Sequence, residues 1–206
     1  MSPSKPVKRG PEPTEAQLRV IHAALELFAV HGVGGTSLRM IASELGVTVA
    51  AVYHQYKTKD EIIHAAVEVE LGNLVAVVDA AEKEPTAAAA REALVAGMVD
   101  LSVRGLGRSV SAVLNDPIVT GHFDRHTGFR DLIPRIRRLL TGGATSREPR
   151  IRTATFIAAI NGTATHPFLA DQDEATMRRE LLQVAHLLLP PLPDPPVRSS
   201  RRAARA

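Results

Sequence analysis

The chain has 206 residues, 45% hydrophobic and 23% charged, which suffices to bury a core of good size or a small domain joined to a larger one. The formal net charge is +3, and Lys and Arg exceed Asp and Glu by one over residues 1–65, fall short by one over 66–190 and exceed by three over 191–206, which permits contact with nucleic acid but excludes a binder that works by bulk positive charge. The absence of cysteine excludes disulfides, thiolate metal sites and thiol redox sensing; no apolar run approaches the ~18–20 residues of a spanning helix, and the polar stretch Met1–Pro13 lacks the apolar centre of a secretory signal, so a cytoplasmic protein without membrane contact is expected.

In chain order, residues 1–13, with Lys5, Lys8, Arg9 and several prolines, read as a disordered basic arm. Thr14 and Gln17 make a capping box ahead of Leu18, Ile21, Leu25 and Phe28, so a first helix runs to His31, with Gly32 as its left-handed stop. A short second helix is predicted from near Ser37, burying Leu38, Ile41, Ala42 and Leu45 before Gly46. Thr48 caps a third helix to about Tyr56, and Thr58 caps a long fourth helix that opens with Lys59, Asp60 and Glu61 and links two domains.

Beyond Pro85 the helical period continues to about Leu189, interrupted at Asp116-Pro117, Gly142-Gly143, Pro149 and Pro167, which predicts five or more further helices. Strand-like alternation is missing, so the fold class is all-α. From Pro190 the Pro- and Arg-rich tail is expected to be disordered. Gly105-Leu-Gly-Arg-Ser lacks the preceding strand of a phosphate-binding loop and reads as a turn. His122 and His126 stand four apart without a recognisable third ligand, so no metal site and no cofactor is expected.

A helix over 37–45, a turn at Gly46 and a second short helix over 48–54 have the spacing of a helix-turn-helix, in which one helix braces on the backbone while the next enters the major groove. The stretch from Thr36 to Lys59 closely resembles the DNA-binding motif of the tetracycline-repressor (TetR) family, with matches at Thr36, Ile41-Ala42, Gly46-Val47-Thr48, Val52-Tyr53-His54, Lys59 and the apolar Ile62. The resemblance covers about residues 14–65; the rest matches in length and helical character alone. Two departures stand out: Tyr56 where the family usually has phenylalanine, and Val49-Ala50-Ala51 where a small residue or proline is common.

The resemblance implies a helix-turn-helix domain over 14–65, an effector-binding and dimerisation domain over 66–189, and a homodimer on a near-palindromic operator in double-stranded DNA. It implies that Thr36, Ser37, Arg39, Thr48, Tyr53, His54 and Lys59 face DNA. Val49, Ala50 and Ala51 are then operator-specific surface, since small apolar side chains early in a recognition helix can meet thymine methyls. For each polar residue a plain structural role competes: capping for Thr36, Ser37 and Thr48, a solvated face for Arg39 and Lys59, and packing for the two tyrosines.

TetR-like proteins hold an effector among the later helices, and Met98, Leu101, Phe123, Phe129, Phe156 and Asn161 are candidate walls for a small, largely apolar ligand. Arg91, Arg104 or Arg108 could accept an acid. Dimerisation is expected through helices over about 147–166 and 173–189, the first offering Ala154, Ala158, Asn161, Gly162 and Ala164, the second Met177, Leu181, Val184, Ala185 and Leu188 as an apolar stripe. No catalytic residue is assigned. The competing readings are a nucleoid or structural DNA binder without effector, revealed by non-specific, salt-dependent affinity, and a helical enzyme, revealed by turnover of a ligand.

Overall fold

In the computed structural model, residues 13–104, 109–110, 113, 116–163, 166–169, 171–189 and 191–192 are described, and they contain helices and connecting turns without a strand. The basic arm to Glu12, the turn at 105–108 with Arg108, Ala164 and nearly all of the Pro/Arg tail lie outside the described residues.

The N-terminal helices form where local chemistry marks them. Helix α1 (Glu15–Gly35) starts with a capping box: Gln17 N–H donates to Thr14 Oγ1 at 3.3 Å and Thr14 N–H donates to Gln17 Oε1 at 2.9 Å. Its helical path breaks at Gly32, whose φ of 70° an L side chain seldom adopts, and one further turn leads to Thr36. Helices α2 (Leu38–Glu44), α3 (Val49–Gln55) and α4 (Lys59–Ala81) are capped by Ser37, Thr48 and Thr58, each hydroxyl accepting the backbone N–H three residues on.

Five more helices follow among the described residues: α5 (Ala87–Val103), α6 (Pro117–Arg125), α7 (Thr127–Thr141), α8 (Arg147–Thr163) and α9 (Glu174–Leu188), with a single 3₁₀ turn at Pro167–Leu169. Proline stands at the start of α6, where its missing N–H costs nothing, and Gly142 closes α7 in the left-handed conformation.

Two apolar cores result, and α4 runs through both. Ile62, Ile63, Ala66 and Val67 close the first against Ile21, Phe28, Ile41 and Val52, while Leu71, Val78 and Ala81 enter the second with residues of α5, α7, α8 and α9. The change of core therefore falls between Val67 and Leu71. Val119 and Phe123 of α6 belong to the first core, so a helix from the second half of the chain is seated on the N-terminal unit.

Helices α4 and α5 meet closely: a Cβ on Gly97 would fall 2.4 Å from Val77 Cγ1, so the crossing admits glycine alone without displacement. On the far side, Arg135 of α7 bonds to Asp79 at 2.5 Å and to Glu82 at 2.7 Å, and Arg138 adds a 2.8 Å bond to Glu82, which holds the Glu82 carboxyl below its ordinary range. Arg178 of α9 reaches Asp100 of α5 at 2.5 Å.

The stripe on α9 is a correction. Met177, Leu181 and Ala185 are buried in the protomer's own second core, and Leu188 is half-buried. The outward apolar residues are Val184 and Leu187 on α9, with Ile151, Ala154, Ala158 and Gly162 on α8.

Candidate nucleic-acid interface and apolar cavity

Helix α3 is only seven residues long and is anchored by one side chain, Val52, which is fully buried. Its other faces are open: Val49, Ala50, Ala51, Tyr53 and His54 are exposed, as are Thr48, Ser37 and Arg39 around it. Gly46, at φ 65°, makes the turn that throws α3 across α2. The result is a short helix whose exposed surface holds small apolar side chains at its N-terminus and a phenol and an imidazole in its last turn.

Tyr53 is 51% exposed, whereas Tyr56 is buried, with its hydroxyl pKa pushed up by desolvation. The two tyrosines thus divide into surface and core. Lys57, to which the sequence reading assigned no role, donates through Nζ to the Tyr53 carbonyl at 2.7 Å and lies 4.7 Å from the centre of the Tyr53 ring, so its cation sits on the same exposed edge. Its one sequence signal was charge beside a tyrosine.

Two of the DNA-facing expectations meet other geometry. Thr36 is 2% exposed and its hydroxyl donates to the carbonyls of Gly32 at 3.0 Å and Leu27 at 3.3 Å, so in this structure it is engaged with the end of α1 and not presented on the exposed surface. The cause is local, because the break at Gly32 strands carbonyls that need a donor. Lys59 is half-buried, and its Nζ donates to the Val33 carbonyl at 2.5 Å, tying the start of α4 to the same break. An ammonium has three donors, so this bond leaves two.

A second feature lies among α4, α5, α6, α7 and α8: a cavity of about 350 Å³, within the range of small-molecule sites. Met98, Leu101, Phe123, Phe129 and Asn161 come together in its wall. Phe156 does not: it is 1% exposed and lies in the second core, while its neighbour Ile157, one position along α8, faces the cavity. Adjacent helical positions point about 100° apart, and the apolar composition of α8 did not reveal which of them turned inward. Glu70 and Leu74 of α4 and Ile133 and Ile136 of α7 complete the wall and escaped the sequence reading. Arg91 and Arg104 are outside it; Arg91 is buried elsewhere and Arg104 stands 3.9 Å from Glu174.

Helix α6 touches both features. Phe123 belongs to the cavity wall and to the first core at once. His122 Nε2 is 2.8 Å from Asp60 Oδ1 and His126 Nε2 is 2.6 Å from Glu68 Oε1, so both histidines are engaged with α4, and no metal-binding group of three occurs among the described residues.

Residues 20–66 match the family of bacterial regulatory proteins described as the tetR family. The likeness to the tetR family therefore lies in residues 20–66, the segment that runs from α1 into α4. Among curated proteins of this type, the HTH-type transcriptional regulator SrpR of Pseudomonas putida is 41% identical over 58 residues, which is 28% of this chain and 27% of that protein. The chain thus aligns with about a quarter of that relative. Solved structures extend the likeness in fold to most of the chain: AibR in complex with isovaleryl coenzyme A and operator DNA superimposes with a TM-score of 0.64 at 15% identity, covering 86% of this chain and all (100%) of that one. The SmeT–triclosan complex does so with a TM-score of 0.59 at 22% identity, covering 85% and 90%. The chain is therefore similar in sequence to the tetR family over residues 20–66, and its likeness to the solved structures is one of fold. No described helix is long and apolar enough to cross a membrane.

Proposed function

We propose that this chain is a sequence-specific DNA-binding transcriptional repressor of the cytoplasm, dimeric on its operator and released from it by a small, largely apolar ligand held in the α4–α8 cavity. The observation that carries the reading is the open surface of α3 within a tetR-type helix-turn-helix. Ser37, Arg39, Thr48, Tyr53, His54 and the remaining donors of Lys59 are its phosphate and groove contacts, and Val49, Ala50 and Ala51 its base-reading surface. Lys57 joins them on the strength of its position beside Tyr53. That AibR is described with both a coenzyme A thioester and operator DNA, and SmeT with triclosan, supports a ligand-responsive regulator over an enzyme.

A single seven-residue reader gives little affinity, so two are needed, set about one helical turn apart by a two-fold dimer. Ile151 and Leu187, 64% and 79% exposed, are apolar side chains that a partner copy of α8 and α9 would cover. Ligand release follows from linkage: a ligand that prefers the DNA-incompetent arrangement weakens the operator complex by its differential affinity, typically ~1–3 kcal/mol. Helix α4 passes through both cores and α6 bridges cavity and reading unit, so both can carry that preference.

The test is selection of duplexes from a random pool by the full chain, followed by gel-shift titration. A near-palindromic site bound well above bulk DNA is the expected result. Affinity equal for all sequences would replace the repressor with a non-specific DNA organiser.

A further inference from the structure

The cavity holds a carboxyl group that its walls leave without a counter-charge. Glu70 projects from α4 among Leu74, Met98, Phe123, Phe129 and Ile136. Its hydrogen bond comes from Asn73 Nδ2 on the same helix at a long 3.5 Å, and no lysine, arginine or histidine is among the described residues of the wall. Desolvation pushes its pKa up to about 7. The other charged side chain of the wall is also an acid, Asp124 of α6; Ser102 of α5 and Asn161 of α8 are neutral, and the α7 contribution is apolar.

We propose that Glu70 is the counter-ion for a cationic ligand, so that the effector of this cavity is an amphiphilic amine or quaternary ammonium compound with an apolar body. This inference rests on the reading of the cavity as the effector site. Three observations on the cavity converge. Its walls are apolar enough to take a hydrocarbon or aromatic body. Both of its charged groups are negative, which repels an anion. The rings of Phe123 and Phe129, 5.3 Å apart and inclined at 63°, place two π systems in the wall, a surface that favours a cation over a neutral group.

The electrostatics turn a liability of the free protein into selectivity. A carboxylate desolvated without a counter-charge is unfavourable, so in the free protein Glu70 takes up a proton near neutral pH. A cation entering the cavity supplies the missing charge; Glu70 binds it in the ionised form and its proton passes to solvent. A neutral ligand makes no such exchange. Affinity for a monocation therefore rises as pH rises through about 7, by about tenfold between pH 6 and 8, the change in ionised fraction of such a group.

Calorimetric titration of the full chain with decyltrimethylammonium, decanol and decanoate, which share a tail and differ in charge, tests this. The expected result is at least about tenfold tighter binding of the cation than of decanol at pH 8, decanoate the weakest, and loss of the cation's advantage in Glu70→Gln with decanol affinity kept. If Glu70→Gln does not fold, the wild-type pH series decides: cation affinity must climb from pH 6 to 8 while decanol affinity stays level. Decanol binding with no preference for the cation, or a preference untouched by Glu70→Gln, overturns the counter-ion assignment and leaves the cavity as a ligand site. Failure of all three probes to bind overturns both.

Discussion

The backbone N–H of Val33 donates to Oδ2 of Asp116 at 3.2 Å, joining two residues 83 positions apart. The same carboxylate caps α6 through its other oxygen, which accepts from Ile118 N–H at 2.8 Å. One side chain thus starts the helix that walls the cavity and satisfies the backbone at the break in α1, beside the carbonyl that Lys59 occupies. Asp116→Ala is expected to lower stability by about 1–2 kcal/mol through the lost cap and the unpaired N–H. It should also shrink the effect of a bound ligand on operator affinity. Thermal unfolding and ligand-dependent fluorescence anisotropy read the two effects; an unchanged ligand response would remove α6 from the route of communication.

Lys59 is expected to show two separable effects. Lys59→Met removes the bond to the Val33 carbonyl and should cost about 1 kcal/mol of stability. If its two other donors reach a phosphate, the slope of log K against log salt should also become shallower by about 0.9. A stability loss with an unaltered slope would make Lys59 a purely structural clamp.

Tyr53 and Val49 should differ in kind. Tyr53→Phe keeps the ring beneath Lys57 and removes the exposed hydroxyl, so it should weaken binding to all sequences alike, by about 1 kcal/mol. Val49→Ser should instead change which operators are preferred, because it alters the surface presented to base edges. Gel shifts on a panel of half-site variants separate a uniform loss from an altered ranking.

Ile151→Glu and Leu187→Glu replace exposed side chains and should leave the protomer folded while producing a monomer with greatly reduced operator affinity. Leu181→Ala, by contrast, empties a place in the second core and should cost about 2–4 kcal/mol. Sedimentation velocity on the two glutamate variants checks the assignment; dimers that persist in both place the interface elsewhere.

The raised pKa of Glu70 carries a sign for stability. Its folded value of about 7 lies above the ordinary 4.5, so the folded state binds the proton more tightly than the unfolded chain does. The native state is then favoured below about 4.5 and loses that advantage as pH rises through about 7. Glu70→Gln should nearly match wild type at pH 4.5 and exceed it by about 3 kcal/mol at pH 8, as measured by urea unfolding at the two pH values.

The amino-acid order by itself determined the helices of the reading unit, because their signals are local. Thr14, Ser37, Thr48 and Thr58 each cap a helix through an N–H three residues away, and Gly32 and Gly46 mark left-handed turns that side chains disfavour. Such contacts span at most one helical turn and can be seen along the chain. Tertiary structure alone decided the partners. An apolar stripe such as Met177, Leu181 and Ala185 states that a face is buried but not whether its cover is α5 or another copy; here the cover is the protomer's own core. Thr36 reads equally well as a cap or a phosphate contact until the broken end of α1 claims its hydroxyl. Phe156 and Ile157 are both apolar residues of α8, and only the seating of that helix turns the second toward the cavity. Glu70 carries no signal in a helix that also holds Glu61 and Glu68; the packing of α5, α6 and α7 against α4 is what removes its water. Burial is a property of several elements at once, and no window along one of them contains it.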